Sequence, residues 1–179
     1  YNSCGRLLWV ESLPKAGVDL ALFESGGLTY VYVTGNTSTN SPAPHTAFIA
    51  KFEDNGASAA LSWSYDISGD DTFSSAIGLD NQGNAYIIGN LYDNVNFNHF
   101  GGVSATTNVS NNYGIFIAKY GPGGSLLYQN NIQIASLPVL TCPNLLSGKG
   151  ISVSPSGDKV YILADGQNAT LDFGLGSTV

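Results

Sequence analysis

The chain has no methionine, two cysteines, two histidines and only six lysines and arginines among 179 residues. Each scarcity removes a class of function. With thirteen Asp and Glu the net charge is −7, which repels a phosphate backbone and argues against nucleic acid as a partner. No apolar run approaches the ~20 residues of a membrane-spanning helix, so no membrane span is expected. His45 and His99 have no Cys or His near them at metal-ligand spacing, so no metal site and no cofactor is expected. Apolar residues nowhere recur at i, i+3, i+4 and i+7 over several turns, which leaves no amphipathic helix.

What the chain has instead is repetition, together with 22 glycines, ten tyrosines and eight phenylalanines. Phe48-Ile49-Ala50-Lys51-Phe52 returns as Phe116-Ile117-Ala118-Lys119-Tyr120. Val31-Tyr32-Val33-Thr34-Gly35-Asn36 returns as Ala85-Tyr86-Ile87-Ile88-Gly89-Asn90, and again as Val160-Tyr161-Ile162-Leu163-Ala164-Asp165. Internal repeats of this length are read before any local feature, because they decide the architecture. Strand-forming Tyr, Val, Ile, Phe and Thr crowd the stretches between glycines, and the turns carry Gly with Asp, Asn or Pro before it. Each unit parses as four short strands. The fold class is therefore all-β, a β-propeller-like array of four-stranded antiparallel blades with two full and two partial repeat units.

The units run approximately 1–16 (end of a blade), 17–73 (full blade), 74–147 (full blade with an insertion at 135–146) and 148–179 (start of a blade). Tyr1 to Trp9 aligns with Tyr120 to Tyr128, which starts the chain at the end of a third strand, and Leu171 to Gly174 aligns with Val95 to Asn98. Closed propellers need four to eight blades, so the expectation is a segment of a longer polypeptide. The alternative is a ring closed by strand exchange, in which Tyr1 to Leu13 finishes the blade begun at Gly150.

The phrases resemble the bacterial β-propeller repeat called SBBP, in Ile77 to Gly89, Phe116 to Leu127 and Gly150 to Leu163, with Ser68-Gly69-Asp70-Asp71 where that family often has SGDD. Leu28-Thr29-Tyr30, in place of the usual Gly-Asn, and the insertion at 135–146 depart from the pattern. The resemblance implies a secreted or cell-surface repeat protein with no common catalytic activity. On that basis the expected function is a non-enzymatic extracellular segment serving as a structural, adhesive or protein-interaction module. Its partners are then a protein or glycan at the cell surface, or other subunits of an assembly. The alternative is the accessory propeller of a secreted hydrolase whose catalytic domain lies elsewhere.

Local candidates for chemistry each have a plainer reading. Asp70-Asp71 has the carboxylates for a hard cation, yet such pairs more often cap turns. Asp93 to Asn98 is rich in oxygens but lacks the spacing of a calcium loop, and its alternation reads as strand. His45 and His99 read as solvated loop residues, and no GxSxG nucleophile elbow is present. Asn36, Asn108 and Asn168 head Asn-x-Ser/Thr triplets at a frequency expected by chance. A Cys4 to Cys142 disulfide would have to join opposite faces of the sheet and is not favoured. Tyr32, Tyr86 and Tyr161, with Phe48 and Phe116, recur at fixed places in the units and are expected to pack between them. The best candidate binding surface is the longest inter-strand loop, Leu91 to Tyr113, with Tyr92, Asp93, Phe97, His99, Phe100 and Tyr113.

Overall fold

Strands stop in this chain where glycine lets the backbone turn back. Gly26 and Gly27, both at positive φ, close a two-residue hairpin whose left-handed pair matches the twist of its flanking strands. Gly56, Gly83, Gly124 and Gly157 mark four more turns. The computed structural model describes residues 3–4, 6–37, 45–97, 106–136, 146–166 and 170–172. All the regular structure among them is β.

The first group of strands is β1 (Ala16–Ser25), β2 (Leu28–Asn36), β3 (Ala47–Asp54) and the first half of β4 (Ala59–Leu79), each antiparallel to the next. The second group is the other half of β4, then β5 (Ala85–Asn96), β6 (Thr106–Tyr120) and β7 (Leu126–Ser136). β8 (Leu146–Val153) and β9 (Val160–Gly166) form a separate hairpin. β10 (Thr170–Asp172) pairs not with that hairpin but with β7, so the main sheet has eight strands in the order β1-β2-β3-β4-β5-β6-β7-β10. Among the described residues this sheet does not close on itself.

The pairing repeats as faithfully as the sequence. A bulge interrupts the first ladder of each group at the same place, between Gly17 and Asp19, Ser74 and Ala76, and Gly148 and Gly150. The tail of β5 crosses back to pair Val95 with Gly69, at the outer strand of the first group. β10 pairs Leu171 with Ile134 in the outer strand of the second. Thus the aligned segments at 95 and 171 do the same job one unit apart.

Two expectations need correction. Ser68 to Asp71 has turn composition but runs as extended chain, because its backbone is paired with the tail of β5, and β4 is continuous over 21 residues. Arg6 to Trp9, expected as strand, is irregular. The strand it reaches is β3, through a bond from Trp9 Nε1 to Asp54 at 2.8 Å, and β3 already has β2 and β4 on its two edges.

Cores lie on both faces of each group. Phe48, Ala50 and Phe52 pack on one side of β3 with Leu13, Val31 and Val33. Ile49 points to the other side, into a cluster with Tyr32, Ile77, Ile87, Phe116 and Tyr120 that unites the two groups. Ile117 then faces a further cluster with Ile88, Ile132 and Leu146, reached by Ile151 and Ile162 of the β8-β9 hairpin. The repeated phrase is apolar at successive positions because its strand is covered on both faces, as in other strands buried between layers.

Candidate functional site

The connections β2 to β3 and β5 to β6 leave the sheet at the end opposite Gly56, Gly83 and Gly124. Most of the expected loop Leu91 to Tyr113 is paired strand: Asn94 faces Asn108, Val95 faces Thr107 and Asn96 faces Thr106. Tyr92 is the candidate whose side chain is both described and exposed. Phe97 is fully buried and meets Phe116 edge-on at 5.7 Å, so its ring is core, placed there by the apolar alternation that continues past β5. Asp93 and Tyr113 have described backbones within β5 and β6 only, and His99 and Phe100 lie outside the described residues.

The site at this end was not legible in sequence. The His45 N–H donates to Asp71 Oδ1 at 2.8 Å, its Nδ1 lies 2.7 Å from the same oxygen, and its ring rests against Phe73 with centroids 4.4 Å apart. The Thr72 N–H donates to the His45 carbonyl at 3.0 Å. His45 is therefore fixed rather than solvated, and Asp71 caps the His45 backbone across 26 residues rather than a turn of its own. Beside the pair is a cavity of about 170 Å³ lined by Asp71, Phe73, Asn90, Leu91, Tyr92, Leu146 and Ser147. It is mainly apolar, with Asp71, Asn90 and Ser147 supplying its polar atoms.

A carboxylate orienting an imidazole is half of a general-base device. Among the described residues the side-chain bond of His45 is the one to Asp71. No cluster of three or more His, Cys, Asp or Glu able to hold a metal occurs among the described residues. Cys4 is exposed, and Cys142 lies outside the described residues. The described chain contains no helix long and apolar enough to cross a membrane.

The opposite end holds a second polar cluster. Asp80 accepts from Gln82 N, Asn84 N, Asn84 Nδ2 and the Tyr86 hydroxyl, and Lys119 Nζ lies 3.6 Å from it. Burial pushes the Asp80 carboxyl up, but the hydrogen bonds from Asn84, Gln82 and Tyr86 outweigh it and leave the group below its ordinary range. Lys119 is held above its ordinary range by the Tyr86 hydroxyl first, against burial, with Asp80 adding attraction. The same lysine stands over the Tyr86 ring, 4.7 Å from its centroid.

The recurrent aromatics explain why such residues repeat. The Tyr32 hydroxyl donates to the Gly83 carbonyl at 2.9 Å, in the glycine turn of the next unit, and burial raises it to about 12. The Tyr86 hydroxyl, whose one proton is shared between Asp80 at 3.1 Å and the Gly157 carbonyl at 3.2 Å, again reaches one unit on. Asn36 Oδ1 accepts from Ser74 N at 2.8 Å and Asn90 Oδ1 from Gly148 N at 2.8 Å. Ser74 and Gly148 are the residues at the two equivalent bulges. Phe48 and Phe116 are buried with them, whereas Tyr161, expected to pack likewise, is 61% exposed. No described unit covers the face it occupies. Comparison with family models, curated proteins and solved structures finds no match to this chain.

Proposed function

We propose that the chain is part of a non-enzymatic, extracellular β-propeller-like array, built of SBBP-type repeats and acting as a structural or protein-interaction module at a cell surface. The observation that carries this reading is the paired set of inter-unit bonds, Tyr32 to Gly83 with Asn36 to Ser74, and Tyr86 to Gly157 with Asn90 to Gly148. Side chains repeated in the sequence spend their polar atoms joining one unit to the next. Such bonds join the units into one rigid scaffold.

Low charge and the strong excess of acid over base support an exported surface protein. The SBBP assignment rests on the phrases themselves. The pocket beside His45, walled mainly by Phe73, Leu91, Tyr92 and Leu146 with Asp71, Asn90 and Ser147 at its polar side, suits a small, largely apolar group with one polar contact, presented by a protein or glycan on a rigid sheet end.

Two measurements test the proposal. Electron cryomicroscopy of the natural assembly should show successive units related by one near-constant rotation about a common axis; units in unrelated orientations would refute the propeller arrangement. The purified chain should turn over no generic ester, peptide or glycoside. Hydrolysis abolished by His45→Ala would make His45 and Asp71 an active site and overturn the non-enzymatic assignment.

A further inference from the structure

The pocket beside His45 lies where the repeat is broken. Asp71 pairs with Tyr92 and Phe73 with Asn90, so these four side chains stand on one face of the β4-β5 ladder. Leu146 and Ser147 of β8 complete the cavity against that face. The place of Phe73 is held by Ala16 in the first ladder, opposite Asn36, and by Ser147 in the third, opposite Asp165. Pro14 stands two residues before Ala16, where Asp71 stands two before Phe73. The bond that joins units at this level needs neither a phenylalanine nor an aspartate, since Asn36 makes it with Ala16 opposite.

The polar atoms of the wall are unequally occupied. Asn90 Oδ1 accepts from Gly148 N at 2.8 Å, and its Nδ2 donates to Ser75 at 3.2 Å. Asp71 accepts both bonds from His45 on Oδ1, and among the described residues Oδ2 has no donor. The Asp71 side chain is 23% exposed, and among the described residues its ion-pair partner is His45, whereas Lys15, Lys119 and Lys149 pair with other aspartates. What the pocket still offers is an acceptor of negative charge beside the rings of Phe73 and Tyr92, in a cavity otherwise walled by Leu91 and Leu146. A cation suits that acceptor. A primary ammonium brings three N–H donors, and this mainly apolar wall cannot replace all the water they would lose. A fully methylated ammonium has no donor to satisfy, and aromatic side chains attract its charge. A cavity of about 150 Å³ admits a benzene-sized molecule, so about 170 Å³ takes a head of that bulk with the start of its stem.

We propose that this pocket binds a trimethylammonium head on an alkyl stem, with Asp71 supplying the countercharge and Phe73 and Tyr92 the aromatic walls. The proposal rests on the reading of this pocket as a recognition site. His45 bonds to Asp71 through its N–H and Nδ1 and packs its ring on Phe73, so both are positioned before a ligand arrives.

The test titrates the whole chain with choline chloride at about pH 8, where imidazoles are mostly uncharged, and follows its amide resonances. Saturable binding with a Kd on the order of 1 mM is expected. The neutral carbon isostere 3,3-dimethylbutan-1-ol should bind at least tenfold more weakly, and n-butylammonium at least fivefold more weakly. Asp71→Asn keeps an oxygen for the His45 N–H, and should bring choline down to the level of the isostere while leaving the isostere unchanged. Tyr92→Leu, at a side chain 37% exposed, should weaken choline about fivefold. A parallel titration with N-acetyl-trimethyllysine amide separates a head carried by a lysine of a partner protein from one carried by a small molecule; the tighter ligand names the carrier, and either supports the head group. An isostere or n-butylammonium that binds as tightly as choline overturns the proposal and leaves the pocket a recognition site for another group. Choline binding unchanged in Asp71→Asn overturns it too, because the site would lie elsewhere. No saturable binding by any of these ligands overturns it together with the reading of the pocket as a recognition site.

Discussion

Asp80 shows how a repeat protein uses a buried charge. Its side chain is 1% exposed, and four donors plus Lys119 replace the water it has lost. Because its folded pKa lies below the ordinary carboxylate value of about 3.9, it stabilises the fold above that value. This contribution disappears as pH falls toward the folded pKa. Urea unfolding should therefore lose stability below about pH 4, and Asp80→Asn should flatten that acid limb while costing about 2 kcal/mol at neutral pH. Parallel pH profiles for wild type and variant would mean that other carboxylates carry the acid sensitivity. The sequence announced the turn at Asp80 through Asn81-Gln82-Gly83. It did not announce the lysine 39 positions later, because that contact depends on β5 and β6 being neighbours.

At the scale of elements, the glycine turns, the strands and their antiparallel order were legible, whereas contacts between distant segments were not. Gly83, Gly124 and Gly157 mark turns that composition alone predicts, and the strands through Phe48 and Phe116 fall where the repeated phrase puts them. The stretch Ser68 to Asp71 misled because small and acidic residues favour turns only until another strand competes for their backbone, which the tail of β5 does. The pairing of His45 with Asp71 was invisible for a related reason: it requires the start of β3 to lie beside the middle of β4. Gly89 offers a test of how tightly the elements close. A Cβ there would collide with the Phe73 carbonyl and lie 2.5 Å from the Phe116 ring, so Gly89→Ala should cost more than about 3 kcal/mol or prevent folding. The open position Gly123, where nothing lies within 4 Å, is the control, and Gly123→Ala should change stability by less than about 0.5 kcal/mol. Equal tolerance at both sites in thermal melts would contradict the packing described for β5 against β6.

Across the whole molecule the units are unequally secured. β3, the inner part of β5 and the second half of β6 are covered on both faces, whereas the β8-β9 hairpin has its own two strands and one covered face. Hydrogen exchange should reflect this, with amides of 160–166 exchanging at least tenfold faster than those of 47–52 and 114–120. Uniform protection would mean that something covers β9 in solution, which sedimentation of the same sample would reveal.

Burial on both faces also bears on how the chain finds its fold. A strand with one apolar face is held in register by that face, since a one-residue slip turns it to water. Phe48 to Phe52 and Phe116 to Tyr120 have no such safeguard, and they spell nearly the same five residues. Each is a plausible tenant of the other's slot during folding, the kind of exchange that traps repeat proteins in misassembled states. One atom tells them apart at their last position. Tyr120 carries a hydroxyl that its proper slot accommodates beside Trp63 and Tyr65, while the slot of Phe52 is lined by Leu13, Val31 and Ala59. Tyr120→Phe should erase that distinction and enlarge a slow refolding phase in stopped-flow fluorescence, a proofreading error made visible by removing a single oxygen.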